Sequence, residues 1–596
     1  MKSKKTTKNN TWNLSLLYDS PHDPRIDEDM SAWEKAVERF ARRYDTPQKK
    51  YLTDRRSLLL ILRDFEKLEA LSSGKFLMYL HFFHDIDSSN VEVSARIALL
   101  SGRAAKIGNQ LTFFRVALGQ IPKKQQRLFL AAPELRHFHV FLSRIFDQAR
   151  FHLSIPEEKI MSLKGLPAYN MWVDGNQKFL NTKTIAWRGK QLPLAQALGM
   201  VFQLPKQKER QALSAAIAKI LKEVAPFSEA EINAVVTNKK INDELRGYRS
   251  PEENTILGYR NDPAVVAKLI ETVNSQAKLA HRFYAIKARL LKLPHLIYAD
   301  RGAKIGEIKK KFDFAATCQN LKEIYRSLPG RYEAVFDQFL KERRIDVYPR
   351  LGKKSGAYCW GAYGVPTFVM LNHTDDFRSF TTAAHEMGHA FHTELSQSQG
   401  ALYCDYSTAL AETASTLFES LAIEKIYDQL SDEEKIIVLH DKIDSDISTI
   451  FRQVACFNYE KAIHEHVRSK GFVSHQELAE LHNRHMSAYL GPRFRLTLDD
   501  GYYFVHWGHI RRFFYVYSYA FGQLVSKALL RRYKQDPSFW QKIEKFLSAG
   551  DSDSPENILK SIGLDIASGD FWQEGLREVE ADIARLDKLT ARKRSV

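Results

Sequence analysis

The chain has 596 residues, 44% of them hydrophobic and 27% charged, with 28 Gly and 19 Pro, which excludes collagen-like and low-complexity chains and fits two to four domains. No uninterrupted apolar stretch of about 18 residues occurs, so no transmembrane helix is expected, and the scattered cysteines Cys318, Cys359, Cys404 and Cys456 point to a reducing compartment rather than a disulfide framework. The formal net charge of +17 is spread in small clusters such as Lys309-Lys310-Lys311 and Arg592-Lys593-Arg594, without an aromatic RNA-binding signature or zinc-finger spacing; a cationic solvated surface is expected, with no nucleic-acid partner.

The amino terminus is basic, with Lys2, Lys4, Lys5 and Lys8, but Asn9 to Asn13 follow where a signal peptide needs an apolar core. Residues 1–10 therefore read as a flexible, solvated tail and the chain as cytoplasmic. Amphipathic helices are expected over 28–44, 56–84, 92–120 and 123–154. At 182–193, alternation followed by Arg188-Gly189-Lys190 predicts a short hairpin. It marks the boundary between an amino-terminal helical domain, 11–195, and a second domain, 196–596. Further helices are expected over 206–223, 264–292 and 318–343. In the second of these, Val266, Leu269, Ile270, Val273, Ala277 and Ala280 recur with a period near 3.6.

The stretch 345–374 breaks the helical pattern with glycines at 352, 356, 361 and 364. Within it, Thr367-Phe368-Val369-Met370-Leu371 predicts a strand, so a small sheet is expected here. Gly352-Lys353-Lys354-Ser355-Gly356 has the residue types of a phosphate loop in the wrong order, because the lysine must follow the second glycine; no nucleotide site is expected. Helices then follow over 407–429, 432–467, 475–489, 514–547 and 573–590.

Chemistry is concentrated at Ala384-His385-Glu386-Met387-Gly388-His389, an H-E-x-x-H sequence on an expected helix with Asp375, Asp376 and Ser379 as capping candidates. Spacing of four places His385 and His389 on one helical face, one turn apart, as a two-point clamp for zinc. Glu386, beside the first ligand, is positioned to take a proton from water. Two histidines leave one protein ligand missing. Glu412 follows His385 by 27 positions, within the helix Leu410-Ala411-Glu412-Thr413-Ala414-Ser415. A turn and an antiparallel neighbour fit that interval and can return the carboxylate to the metal. Glu419, two turns further, can accept from a ligand histidine or form a salt bridge. Histidine and carboxylate ligands also suit manganese and cobalt.

These motifs resemble the oligoendopeptidase F branch of the thimet-oligopeptidase-like zinc metallopeptidases. The resemblance runs, in order, through residues 12–18, 291–300 and 352–358, peaks at His385–His392 and at Leu410–Ser415, and ends at Phe514–Gly522. It implies a mainly α fold: a large helical enclosure around a deep channel, with a small thermolysin-like zinc-peptidase core carrying a short β-sheet. It further implies one Zn2+ per chain held by His385, His389 and Glu412, Glu386 as general base, and internal cleavage of short unstructured oligopeptides, without a membrane. It also implies that the strand at Thr367–Leu371 pairs with the substrate backbone. For the oxyanion the family uses a histidine and tyrosines near the carboxy terminus; His506, His509, Tyr515, Tyr517 and Tyr519 are candidates. Alignment on Phe514-Tyr515-Val516-Tyr517 selects His509, with Tyr515 and Tyr519 as donors. Relatives carry tyrosines after the histidine where this chain has Ile510-Arg511-Arg512. An arginine there could replace a donor, hold a substrate carboxylate, or be a surface cation. A catalytically silent peptide-binding protein is the rival reading.

Overall fold

The computed structural model describes residues 10–71 and 74–592. The basic segment expected as a tail thus lies outside the described residues, apart from Asn10, whose carbonyl accepts the Val347 N–H at 3.0 Å; so do Lys593 and Arg594. The protein is 72% helical, with two small sheets among the described residues. The expected hairpin forms from β1 (Thr184–Trp187) and β2 (Lys190–Pro193), paired antiparallel through a turn at Arg188 and Gly189.

The long helical stretches are real but cut at particular residues. The 56–84 stretch is two helices, Arg55–Leu71 and Lys75–Ile86, the second entered through Gly74 at φ 68°. The 318–343 stretch divides into Phe314–Ser327 and Tyr332–Lys341 around Gly330 at φ 106°. The 514–547 stretch begins only at Tyr517, is broken after Gln535 near Pro537, which has no N–H to continue the ladder, and resumes as the helix Trp540–Leu547. In the opposite direction, 206–223 is the start of a 40-residue helix, Gln207–Arg246, closed by left-handed Gly247.

The second sheet has the order β3 (Ile345–Asp346), β5 (Val365–Met370), β4 (Tyr358–Ala362); β3 runs parallel to β5 and β4 antiparallel. It lies between two apolar cores. One gathers residues from Trp12 to Phe146 and takes in Phe368 and Met370; the other runs from Leu180 to Leu586 and takes in Val369 and Leu371. Alternation along β5 sends successive side chains to opposite cores. Trp12 ties the amino-terminal segment to this strand: its indole N–H donates to the carbonyls of Val369 at 2.8 Å and Arg344 at 3.0 Å.

The sheet order corrects one expectation. β5 is the central strand, so Thr367–Leu371 is already paired on both sides, and the strand with a free edge is β4. The glycine-rich segment before β4 also has its own structural account. The buried side chain of Lys353 holds the Asp346 carboxylate at 2.7 Å and the Tyr348 carbonyl at 3.0 Å, and Lys354 pairs with Asp85 at 3.2 Å, so both lysines already have protein partners. All four cysteines are free thiols.

Candidate metal centre

The H-E-x-x-H segment lies in the helix Phe377–Ser396, capped by Asp376, whose carboxylate accepts the Ser379 N–H at 2.7 Å. Glu412 lies in the helix Thr408–Tyr427, packed along the first. Gly388 makes this approach possible: a Cβ there would stand 2.7 Å from the Ser415 Cα and 2.8 Å from the Ala414 carbonyl oxygen. The two histidine rings are 5.0 Å apart. The Glu412 Oε2 lies 3.4 Å from His385 Nε2 and 3.7 Å from His389 Nε2.

Partners around the trio fix its orientation. Glu419 Oε2 sits 3.2 Å from His385 Nδ1, the nitrogen turned away from Glu412. Ser415 donates to Glu412 Oε2 at 2.9 Å, a contact that no spacing rule singled out although Ser415 sits in the quoted motif. Burial opposes charge on His385, but hydrogen bonds to Glu412 and Glu419 raise it to about 10. His389 is lowered to about 4 by burial. Glu386 is buried and has been pushed up to about 7 by burial, with the charges of Glu412 and Glu419 adding to the effect. A cleft of about 680 Å³ opens on His385, Glu386 and Glu419, and reaches Gly356 and Ala357 at the entry to β4.

The carboxy-terminal residues form a second group. His509 Nδ1 is 2.6 Å from the Tyr515 hydroxyl, and the Tyr515 and Tyr519 rings are 5.7 Å apart. Tyr515 is not on the helix with Tyr519; it is turned into place by Phe513 and Phe514, at φ 47° and 61°. Two hydrogen bonds hold that left-handed pair: the Phe514 N–H to Glu460 Oε1 at 2.9 Å, and the Thr255 hydroxyl to the Phe513 carbonyl at 2.7 Å. Tyr519 belongs to the helix Tyr517–Gln535, whose Gly522 lies against Glu412 closely enough that a Cβ would meet the Glu412 Cβ at 3.3 Å. Tyr519 and Gly522 are three residues apart and share a face, so Tyr519 is one turn from the Glu412 contact. Tyr517 instead points into the core and accepts from Asn261 at 2.9 Å, and His506 packs on Tyr503.

Arg511 corrects the readings offered for it. It is buried, with Nε and Nη2 each 2.7 Å from a Glu231 oxygen and Nη1 on the Phe504 and Trp507 carbonyls. It is neither a surface cation nor free to take a substrate carboxylate. Arg512 is exposed.

A family model described as Peptidase family M3 matches residues 200–578 of this sequence. The chain belongs to peptidase family M3. Among curated proteins, this M3 peptidase is 25% identical to the group B oligopeptidase PepB of Streptococcus agalactiae, over 94% of this chain and 95% of that one. It is 23% identical to an oligoendopeptidase F homolog of Lactococcus lactis over 97% of both. Among solved structures, a Chlamydophila abortus protein superposes with TM-score 0.85 at 23% identity, over 98% of each chain. The oligoendopeptidase-F of Enterococcus faecium superposes with TM-score 0.69 at 18% identity, over 95% of this chain and 100% of that one. The fold is accordingly the mainly α M3 fold, and the protein is a metallo-endopeptidase that hydrolyses oligopeptides.

The family implies a metal, and the M3 peptidase has a donor set that fits one. Among the described residues, His385, His389 and Glu412 are the group whose ligand atoms all lie within 4.8 Å of one another. Four tetrahedral ligands at about 2.0–2.1 Å from zinc stand roughly 3.3 Å apart, close to the two carboxylate–imidazole separations here. No helix among the described residues is long and apolar enough to cross a membrane.

Proposed function

We propose that this M3 peptidase is a zinc-dependent enzyme that cuts internal bonds of short, unstructured oligopeptides, with His385, His389 and Glu412 as the zinc ligands. The observation that carries the reading is the convergence of two imidazoles and a carboxylate beside a buried Glu386, with His385 and Glu386 opening on a cleft. Zinc in such a set supplies Lewis acidity, polarising the scissile carbonyl and making water acidic enough to be deprotonated near neutral pH. Glu386 takes the proton from the attacking water and returns it to the leaving amine; a carboxyl lifted to about 7 suits both transfers. Glu419 fixes the His385 ring through Nδ1, and Ser415 fixes the Glu412 carboxylate. His509, Tyr515 and Tyr519 supply donors to the developing oxyanion, a role supported by their mutual contacts and by the position of Tyr519 one turn from the Glu412 contact. The exposed edge of β4 binds extended peptide through main-chain hydrogen bonds, which tolerate many side chains. The enclosure admits only short flexible chains. The working boundary lies at the hairpin, between 11–195 and 196–596, in keeping with a family match that starts at residue 200.

A silent binder has no use for a buried base beside an open ligand set. Mass spectrometry of an unstructured peptide ladder decides between the two, with Glu386→Gln protein as control and metal analysis alongside. Internal cuts by the unsubstituted protein alone, fading for the longest peptides, are expected. Bound zinc without cuts would leave the silent binder standing, and bound manganese or cobalt would replace zinc in the assignment.

A further inference from the structure

Buried arginines in this protein normally have an acid: Arg210 has Asp300 at 2.7 Å, Arg344 has Glu342 at 2.6 Å and Arg511 has Glu231 at 2.7 Å. Arg301 and Arg452, both partly buried, differ. Among the described residues no carboxylate lies within 4.0 Å of either guanidinium, and the Nε of each is enclosed without a hydrogen-bond partner. The two belong to one shell. Arg301 lies over the Tyr298 ring at 4.8 Å, and Arg452 over the Trp507 ring at 5.0 Å. His482 joins them, with its ring 5.8 Å from Tyr298 and 4.9 Å from Trp507. Burial, with both arginines close by, holds His482 down at about 3, so its ring is neutral. Tyr489 feels both guanidiniums as well.

The polar atoms of this shell are unpartnered. The hydroxyls of Tyr298 and Tyr489, Nε2 of His482 and Nε1 of Trp507 are all buried without a hydrogen bond, on side chains no more than 3% exposed. Buried polar atoms are paired in nearly every folded protein, so a cluster of orphans marks a ligand or enclosed water. Water can satisfy the hydroxyls and the indole, but it does not neutralise two guanidiniums. Donors outnumber acceptors and the charge is positive, so the complementary ligand is an anion. The planar fork of arginine matches the two oxygens of a carboxylate.

The shell adjoins the proposed catalytic group along the chain, since Trp507, the ring under Arg452, stands two residues before His509. His509 is lowered to about 4 by burial and, next, by the charge of Arg452, and it bonds Tyr515. We infer that Arg301 and Arg452 form a subsite that binds a carboxylate of the peptide substrate. This rests on the peptidase reading above, and it names a recognition element that the metal trio and Glu386 do not provide.

The test measures binding rather than turnover. Zinc-loaded Glu386→Gln protein is titrated with fluorescent peptides of graded length, each made as the C-terminal acid and amide and with Glu or Gln at one internal position. The acid or the Glu form binds at least about tenfold tighter at one length or position. Arg301→Gln and Arg452→Gln bring that ratio to about one, and Arg452→Lys restores part of it. No preference in any pair, or one that survives both substitutions, overturns the proposal. Acetate or chloride that tightens amide and acid alike, and does so through Arg452, overturns it in favour of a free anion. Where the Gln variants do not fold, the ratios in the parent protein and in Arg452→Lys decide. A retained carboxylate preference in a protein whose Glu386 form cuts nothing would sink the peptidase reading and leave this one standing.

Discussion

At the scale of single residues, the proposed function divides labour at the centre between groups that hold the metal and one that moves a proton. Glu386→Gln keeps the shape and removes the base. It should lower kcat by about 10²–10⁴-fold while metal content, measured by atomic absorption, stays near one per chain. Glu412→Ala should lose metal, because two imidazoles alone remain. Glu419→Gln leaves all three ligands in place and disturbs only the His385 ring, so chelator competition should show metal affinity weakened by about 10–100-fold. The pH profile has a definite sign. On the proposed mechanism Glu386 acts as the carboxylate; in the metal-free protein burial holds it at about 7, against the opposing charge of His385. Activity therefore rises with pH through its pKa, and a bound divalent ion places that midpoint at or below 7. His385, Glu386, His389 and Glu412 were legible in the sequence because helix geometry makes spacing equivalent to position. The fate of Arg511 was not: its partner Glu231 is 280 residues away in the chain, and no local pattern reports that pairing.

At the scale of elements, amphipathic periodicity located most of the long helices but passed over Ile155–Gly165 and Met171–Asn181, the hairpin followed from alternation and its turn residues, and β5 from β-branched and aromatic residues. The breaks were harder to read because a helix can be interrupted without losing its apolar stripe. The stripe across 264–292 continues through the break between Ser275 and Lys278. The same holds before Tyr517, where Phe513 and Phe514 look like helix and are left-handed instead. Tertiary clamps override local preference there, and the clamps come from Glu460 and Thr255. Glu460 is raised to about 8 by burial, against the pull of the Phe514 N–H. Its folded pKa thus exceeds its unfolded value of about 4.3, and the folded protein binds the extra proton. Stability from this group is complete below about pH 4.3, falls as pH rises toward 8, and is level above that. Glu460→Gln keeps the acceptor and removes the titration, so urea midpoints measured between pH 5 and 8 should flatten relative to the parent. A close crossing gives another test at this scale. Gly388→Ala puts a methyl group into the Ser415 backbone, which must move away; overpacking of this kind costs about 1–3 kcal/mol. Because the displaced helix carries Glu412, metal affinity should fall together with stability, whereas Gly508→Ala, facing open space, should change neither.

At the scale of the whole molecule, the metal site joins two helices of the larger core, while the sheet beside it is shared with the amino-terminal core through Trp12 and Phe368. This arrangement makes the effect of metal removal predictable. In the metal-free protein His385 is raised to about 10, so below that pH it is an imidazolium facing Glu412 and Glu419. That ion pair takes over part of the metal's bridging role between the helices, so chelation should leave the far-ultraviolet circular dichroism unchanged. Stability should nevertheless drop, because an ion that binds only the folded protein adds about 4 kcal/mol at a thousandfold excess over its Kd. The melting temperature should therefore rise with free zinc, and Glu412→Ala should abolish that dependence. The same imidazolium must lose its proton before Nε2 can take a metal. Binding should thus release close to one proton between pH 6 and 9, and affinity should strengthen with pH across that window. Calorimetry in buffers of different ionisation enthalpy counts the proton directly. Binding without proton release would mean that His385 is already neutral, and the Glu419 contact would then hold the ring's orientation without setting its charge.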